Sequence, residues 1–543
     1  MIILEAQREF EAICHAMAEP SFYPHEVTHL QRLDTHISTV FLTGQWVYKL
    51  KKPVDFGFLD FTESDSRRHF CEREVCLNQR LSQGVYIEVV QICRNREGGY
   101  LIGGGGETVE HAVKMRQLRE EDSLRWRIGA GNVSENDMRE LGRRLADFYE
   151  NSMRDPEIDQ YGHPDLIAFN MEENFYQIRP FVDDLVASEE YDFIRQVSRA
   201  FFVNYSGLFE KRIDSGRIRD GHGDLRCDHV YFSQGIQIID CVEFNDRFRY
   251  GDVVSDLAFL HMDLEHLGGE DLCKAFLAAY AERADDFEMY ALLDFYACYR
   301  AVVKVKVACL RSAELESAEE REILKGEARS YLQGAYRYAL QFSRPTVWVM
   351  MGLPATGKSS VAQVISERLS LPLLQSDLIR KDMTGRPRDH AEIVPYGHGA
   401  YQSTLRQRVY AKMLSLAQEE LKQGHSVVLD ATFSQRRWRD EVRQLAGDLD
   451  TNLIIMECSC DEETIRKRLS DRENELIISD ARLQHLSHMI ADYEKPTEIP
   501  AEQFFQVETS LPFSAMIAGV FSEGYMKKRA QVKGLGLTGS GEL

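Results

Sequence analysis

The sequence predicts a multidomain chain of mixed class, α+β in its first part and α/β in its last, with the break near residue 341. Three observations carry this. The chain has 543 residues, which exceeds what one hydrophobic core organises, so two or three domains are expected. A helical run rich in Tyr, Ala and Arg is stopped by Pro345, since proline lacks an N–H and clashes with the preceding turn. From Thr346 onward strands and helices alternate, the pattern of a parallel sheet with helices on both faces. The expected division is residues 1–340, residues 341–524 and a flexible Gly-containing tail, 525–543.

The elements of the first part follow in order. V-Y-K-L-K-K-P, residues 47–53, reads as a strand, and its period of two places Lys49 and Lys51 on one face. A helix over Glu63 to Leu81 carries Glu74, a partner for either lysine. Strands near Val85–Arg94 and Glu110–Met115 complete a small lobe, with a hinge just after Met115. Residues 222–229 read H-G-D-L-R-C-D-H, and a strand at Ile236–Ile239 ends on Asp240. Phosphoryl transfer from ATP needs one aspartate to take the acceptor hydroxyl proton and another, past a short hairpin, to hold Mg²⁺. Asp224 fits the first role and Asp240 the second. Asp252 and Asp256 are expected to bond the loop or cap the helix that follows.

The last part opens with the apolar strand Val347–Met351. Gly352 to Ser359 then read G-L-P-A-T-G-K-S, a full match to the phosphate-binding loop G-x-x-x-x-G-K-[ST]. Between a strand and a helix, the turn Gly352, Leu353, Pro354, Ala355, Thr356 and Gly357 would wrap a polyphosphate with the backbone N–H groups it has, proline lacking one. Ser359 and Ser360 begin a helix, expected to reach Leu371, whose positive end faces the same anion. Lys358 would reach the β/γ-phosphates and the Ser359 hydroxyl would ligate Mg²⁺. Further strands are expected at Leu371–Ser376, Ser426–Leu429, Asn452–Ser459 and Phe504–Val507. In parallel sheets ligands sit beyond the carboxyl ends of the strands. Two of those ends bear Asp377 and Asp430, one to orient the metal and the other to accept a proton. Arg380 lies one helical turn past Asp377 and could hold the acceptor. Arg468 and Arg472, with Arg466, lie on a basic helix from Ile465 and are candidates for cations brought over the triphosphate.

Composition narrows the partners. The net charge is −22, and residues 1–340 carry 40 basic and 60 acidic side chains, against 25 and 27 from Gln341 onward. So acidic a first part repels a phosphate backbone, which argues against nucleic acid there and favours a neutral or cationic small acceptor. The near-neutral remainder leaves nucleic acid open, with Arg436, Arg437 and Arg439 as its basic residues. No apolar run is long enough for a membrane span, and Met1–Glu5 lacks the basic start of a secretory signal. Eleven scattered cysteines with no C-x-x-C pair predict neither zinc site nor disulfide frame, and a reducing cytoplasmic compartment.

Two resemblances join these readings. The phosphate loop, S-D-L-I-R, V-V-L-D-A-T-F and R-L-S-D-R, in this order, resemble P-loop kinases and AAA-type ATP-binding domains related to zeta toxins and polynucleotide kinase, over about Thr346 to Ser522. The resemblance implies ATP–Mg²⁺ on Lys358 and Ser359, Asp377 as base, Arg380 as acceptor ligand, and Arg468 and Arg472 as lid residues. The H-G-D loop and its neighbours resemble the aminoglycoside phosphotransferase family, relatives of protein kinases, over about Gln31 to Tyr280. This implies a two-lobed kinase-like domain with Asp224 as base. The family's metal-binding Asn is His229 here; Glu243 and Asn245 lie close by in sequence. Lys49 and Lys51 both remain candidates for the phosphate contact. The expectation is a soluble ATP-dependent phosphotransferase with two kinase-type domains acting on a small-molecule hydroxyl. A regulatory NTPase with a kinase-shaped sensor, or a nucleic-acid 5′-end kinase, are the alternatives.

Overall fold

The computed structural model describes residues 2–57, 59–104, 106–315, 317–385, 387, 402–471 and 482–533. They group into two compact units: Met1–Gly162 with Ile213–Leu277, and His163–Arg212 with Ala278–Leu543. Among the described residues no helix is long and apolar enough to cross a membrane.

The first unit opens with an antiparallel sheet of six strands: β1 (Gln31–Asp34), β2 (Ser38–Leu42), β3 (Trp46–Lys51), β4 (Tyr86–Arg94), β5 (Tyr100–Ile102) and β6 (Glu107–Arg116), in the order β1-β2-β3-β6-β4-β5. β1, β2 and β5 went unread in the sequence. β1 is exposed along its length and β5 spans three residues, so neither shows a long alternation. One face of the sheet presents Phe41, Tyr48, Leu50, Ile92 and Ala112 to Phe10, Ile13, Cys14 and Met17 of the first helix. The period of two then sends Lys49 and Lys51 to the other face, where the Ser64–Asn78 helix lies.

Two short two-stranded ribbons follow. β7 (Ile218–Asp220) pairs with β10 (Tyr250–Asp252), and β8 (Val230–Phe232) with β9 (Ile236–Ile238). The helix Val253–His266 starts on Asp252, whose carboxylate accepts from the Val254 N–H at 3.0 Å. This is the capping expected of it.

The second unit combines the helices Pro164–Ile178, Ser188–Asn204, Met289–Glu314 and Ala318–Phe342 with a five-stranded parallel sheet. Its strands are β11 (Thr346–Met351), β12 (Leu373–Gln375), β13 (Val427–Asp430), β14 (Asn452–Ser459) and β15 (Phe504–Glu508), in the order β12-β13-β11-β14-β15. Val347, Val349, Met351, Val427, Leu429, Leu453 and Ile455 meet Tyr410, Met413, Trp438 and Val442 of the Ser403–Lys422 and Arg436–Asp448 helices in one core. Trp348 points the other way, toward Gly524 of the final helix. Helices therefore cover both faces.

Several boundaries differ from the sequence reading, three of them in ways that matter for the second unit. The helix after the phosphate loop spans Lys358–Leu369 and ends where Ser370 turns left-handed, at φ +55°. β12 is only three residues long, because Ser376 already opens the next helix, Ser376–Thr384. Residues 525–533, expected to begin a flexible tail, continue the helix Phe513–Lys533. Burial of Tyr525 and Val532 holds them there, with the Tyr525 hydroxyl 2.9 Å from Asp294.

Candidate active sites

In the second unit the phosphate loop leaves β11 between its neighbours β13 and β14. Gly352 takes φ +133°, and a Cβ on it would stand 2.4 Å from the carbonyl oxygen of Cys458. Only glycine fits there. Ala355 also lies in the left-handed region, at φ +66°. The Lys358 ammonium folds back to donate to the Leu353 carbonyl at 2.6 Å. Asp430 ends β13, in register with Met350 on one side and Gln375 on the other, so its carboxylate emerges level with the start of the loop. Gln375 donates to it at 3.1 Å. Burial pushes its pKa up, opposed by the Lys358 ammonium and the Ser359 hydroxyl beside it. A buried carboxylate next to a hydroxyl and an ammonium at a helix start fits a bound Mg²⁺–phosphate, in which Ser359 and Asp430 would hold the metal.

Asp377 stands in the first turn of the helix after β12, at the same sheet edge, and forms an ion pair of 2.9 Å with Arg380. Base candidate and acceptor ligand thus face each other.

Arg468 occupies a different place. Its guanidinium donates to the Ala355 carbonyl at 3.2 Å and to the Thr509 carbonyl and hydroxyl at 3.0 and 3.3 Å. The Thr509 hydroxyl in turn donates to the Thr356 carbonyl at 2.7 Å. Together they tie down the loop carbonyls of Ala355 and Thr356. Arg466 pairs with Glu462 on an exposed helix face. Arg472 lies outside the described residues. Thr509 and Gln375 escaped the sequence reading; each is an ordinary polar residue at a strand end, and nothing marks it until the strands are ordered. Of the three arginines weighed for nucleic acid, Arg439 is fully buried against Glu498 at 2.5 Å and is withdrawn from any such surface.

The first unit assembles a second cluster. Lys49 lies 2.8 Å from Glu74 and 2.7 Å from Asp240. Lys51, fully buried, lies 2.8 Å from the other Glu74 oxygen and also pairs with Glu243. Glu74 therefore bridges both lysines, and Lys49 is the one that reaches Asp240. Burial opposes charge on Lys49, yet Asp240 and Glu74 hold its pKa well above the ordinary lysine range. Burial likewise opposes charge on Asp240, but Lys49 holds its carboxyl far below the usual range. Two ammonium groups face three carboxylates, a balance of one negative charge that fits a divalent cation. Asp240 and His229 would hold it.

The loop carrying Asp224 is braced from the next helix. Asp256 accepts from the N–H groups of His222 and Gly223 at 2.6 and 2.9 Å, and from the Tyr149 hydroxyl at 3.2 Å. This is the loop-bonding role expected of it. Gly223 has φ +88°, and a Cβ there would meet the Phe248 carbonyl at 2.8 Å. His222 sits with Nε2 3.0 Å from the Ile239 carbonyl. Burial lowers its pKa to about 4, against a smaller pull from Asp256, so the ring is neutral. Burial opposes charge on Asp224, while Arg226 brings its pKa below the ordinary value. Arg226 Nε lies 3.1 and 3.2 Å from the two Asp224 oxygens. Arg226, Tyr86 and Asp263 were not anticipated. Asp263 accepts from the Cys227 N–H at 2.8 Å, and Tyr86 accepts from the Asp240 N–H at 3.2 Å. All eleven cysteines are free thiols.

Two family models match the chain. A model of the phosphotransferase enzyme family matches residues 59–295, and an AAA domain model matches residues 347–496. An uncharacterized protein of Mycobacterium tuberculosis is 32% identical over 440 residues, covering 81% of this chain and 85% of its own length. Among solved structures, a choline/ethanolamine kinase family protein from Mesorhizobium loti aligns with 60% of this chain and 99% of its own, at 13% identity and TM-score 0.35. A gluconokinase from Sinorhizobium meliloti aligns with 35% and 95%, at 20% identity and TM-score 0.25.

Proposed function

Since this chain belongs to the same family as the mycobacterial protein, with a phosphotransferase-type domain followed by a P-loop kinase-type domain, we propose that it is an ATP-dependent phosphotransferase with a transfer site in each. The acceptor is a small-molecule hydroxyl. The observation that carries the reading is the placement of Asp377 with Arg380 and of Asp430 at one sheet edge beside the phosphate loop. Lys358 and the loop N–H groups would hold the triphosphate, Mg²⁺ would neutralise it when bound, and Asp377 would take the acceptor proton as its oxygen attacks. Arg380 would position that acceptor. In the first unit, Lys49 rather than Lys51 would contact phosphate, because Lys51 is enclosed between Glu74 and Glu243. Asp224 would be the base there. The acidic surface of residues 1–340 supports a cationic or neutral acceptor over nucleic acid.

The test is incubation of the full-length protein with γ-labelled ATP and a panel of sugars, aminoglycosides, nucleosides and oligonucleotide ends. Asp377→Asn and Asp224→Asn variants run beside it. Label is expected on a small acceptor and lost in one variant or the other, which assigns the site. Label released only as inorganic phosphate with every acceptor would replace this reading with the NTPase switch. Label on oligonucleotide ends alone would replace it with end repair.

A further inference from the structure

The kinase reading of the first unit leaves one residue out of pattern, and its surroundings say what it is for. His229 is buried, with Nδ1 2.8 Å from the backbone carbonyl of Asp224. A carbonyl oxygen only accepts, so Nδ1 carries the proton and Nε2 presents a lone pair. That lone pair lies 3.5 Å from Asp240 Oδ2. A ring whose far nitrogen is tied to a backbone carbonyl has the fixed tautomer and orientation of a metal-ligating histidine. Asp240 is fixed as well: its backbone is left-handed at φ +63°, and its N–H is held by Tyr86.

We infer that His229 Nε2 and Asp240 form a nitrogen–oxygen pair for the divalent ion that accompanies ATP in the first unit, and that this pair favours first-row transition ions such as Mn²⁺ over Mg²⁺. The inference rests on the phosphotransferase reading of this unit. Imidazole nitrogen suits transition ions, whereas Mg²⁺ selects hard oxygen donors and gives up water reluctantly. Nε2 already acts as an acceptor, toward Arg226. The Arg226 Nη2 lies 3.0 Å from His229 Nε2, while Nε holds Asp224 and Nη1 holds Asp228 at 3.2 Å. An entering metal displaces that one nitrogen and leaves the guanidinium anchored through the other two. The proposed metal ligands of the phosphate loop, Ser359 and Asp430, are all oxygen donors, so the two sites should differ in ion preference within one chain.

The experiment uses full-length protein labelled with ¹⁵N-histidine, loaded with Mn²⁺ and a non-hydrolysable ATP analogue, and examined by pulsed electron paramagnetic resonance. A directly bound histidine nitrogen should appear with the ¹⁵N coupling in labelled protein and the ¹⁴N coupling in unlabelled protein. A nucleotide nitrogen cannot follow that label. His229→Asn should abolish the coupling, keep Mn²⁺ bound, and lower the Mn²⁺-over-Mg²⁺ preference by about tenfold. The isotope signal is read in the wild-type chain, so a variant that folds poorly does not blunt the test. Asp240-dependent Mn²⁺ binding without histidine coupling, or coupling that persists in His229→Asn, overturns the inference and leaves the kinase reading standing. Mn²⁺ binding unaffected by Asp240→Ala overturns both.

Discussion

The two sites solve one problem with different materials. In the second unit the phosphate cradle is main chain: the six residues 352–357 between β11 and a helix, with Lys358 and Ser359 of that helix added. In the first unit the proposed cradle is side chain: Lys49, Glu74, Asp224, His229 and Asp240 converge from a sheet, a helix and the two ends of the β8–β9 hairpin. A cradle of N–H groups depends on backbone shape, so its weak points are glycines and the groups that brace its carbonyls, Arg468 and Thr509. A cradle of charges depends on electrical balance, so its weak point is the group shared by the most partners. That group is Glu74, which holds two lysines at once.

The largest expected effect separates chemistry from binding in the main-chain site. Asp377→Asn keeps the shape of the side chain and removes the base. Phosphoryl transfer assigned to the second unit should fall by about 10²–10⁴ while ATP affinity stays near wild type. Transfer rates paired with calorimetric ATP titration measure both. Collapse of affinity instead would move Asp377 into the metal site and make Asp430 the base.

The next effect should appear in the side-chain site as lost stability. Glu74→Ala leaves Lys51 fully buried with one carboxylate and Lys49 with Asp240 alone. Stripping a partner from a buried ion pair costs about 3–5 kcal/mol. Hydrogen exchange of peptides from β3 and the Ser64–Asn78 helix, followed against urea, should report that loss while peptides of β11 and β13 keep their protection. Lys51→Met combined with Glu243→Leu removes a buried charge and its partner together, and should cost less. Equal costs would mean that Lys51 matters for packing rather than for balance.

The contrast in materials also explains what could be read from the chain. A main-chain cradle is contiguous, so residues 352–359 announce it, and the apolar strands β11, β13 and β14 could be placed to within a residue or two. Asp377 and Asp430 followed, because strand ends of a parallel sheet share one edge. The side-chain cradle is spread over nearly two hundred residues. Its H-G-D loop was legible, but the choice between Lys49 and Lys51 was not, since a strand's period of two makes them equivalent. Only the third dimension shows Glu243 enclosing one of them. Nor could the braces be seen. Thr509, Tyr86 and Asp263 are single residues whose work depends on a backbone group far away in sequence. Arg468 looked like a free cation because helical spacing reveals a face and not what lies against it.

A pH effect sharpens the comparison further, because His222 and His229 lie in the side-chain site. His222 is buried neutral, with a pKa of about 4 against an ordinary 6.5. Between those values the unfolded chain binds the proton and the folded unit resists it, so stability rises with pH across the window and is lost as pH falls from 6.5 toward 4. The full loss is about 3 kcal/mol. Carboxylates also titrate at the lower end, so the measure is the difference between wild type and His222→Gln. Exchange protection of β7 and β9 should fall more steeply on acidification in wild type than in the variant. Parallel slopes would place the lost stability elsewhere.

The smallest effects come from two hydroxyl deletions, one in each site, and they test whether the braces act locally. Tyr86→Phe removes the acceptor of the Asp240 N–H, leaving a backbone donor unsatisfied at a left-handed residue; the cost is about 1 kcal/mol. Thr509→Val removes a donor to the Thr356 carbonyl, but Arg468 still reaches the neighbouring Ala355 carbonyl, so the cost should be somewhat smaller, about 0.5–1 kcal/mol. Each deletion loosens the geometry that holds a phosphate or its metal, and 1 kcal/mol is about fivefold in affinity. Tyr86→Phe should therefore weaken Asp240-dependent nucleotide binding about fivefold and leave Lys358-dependent binding unchanged, with Thr509→Val doing the reverse. Titration of each variant with ATP in Lys358→Ala and Asp240→Ala backgrounds reads the two sites apart. If either hydroxyl deletion weakens both, the sites are energetically coupled, and the picture of two independent cradles gives way to one in which the state of each unit sets the affinity of the other.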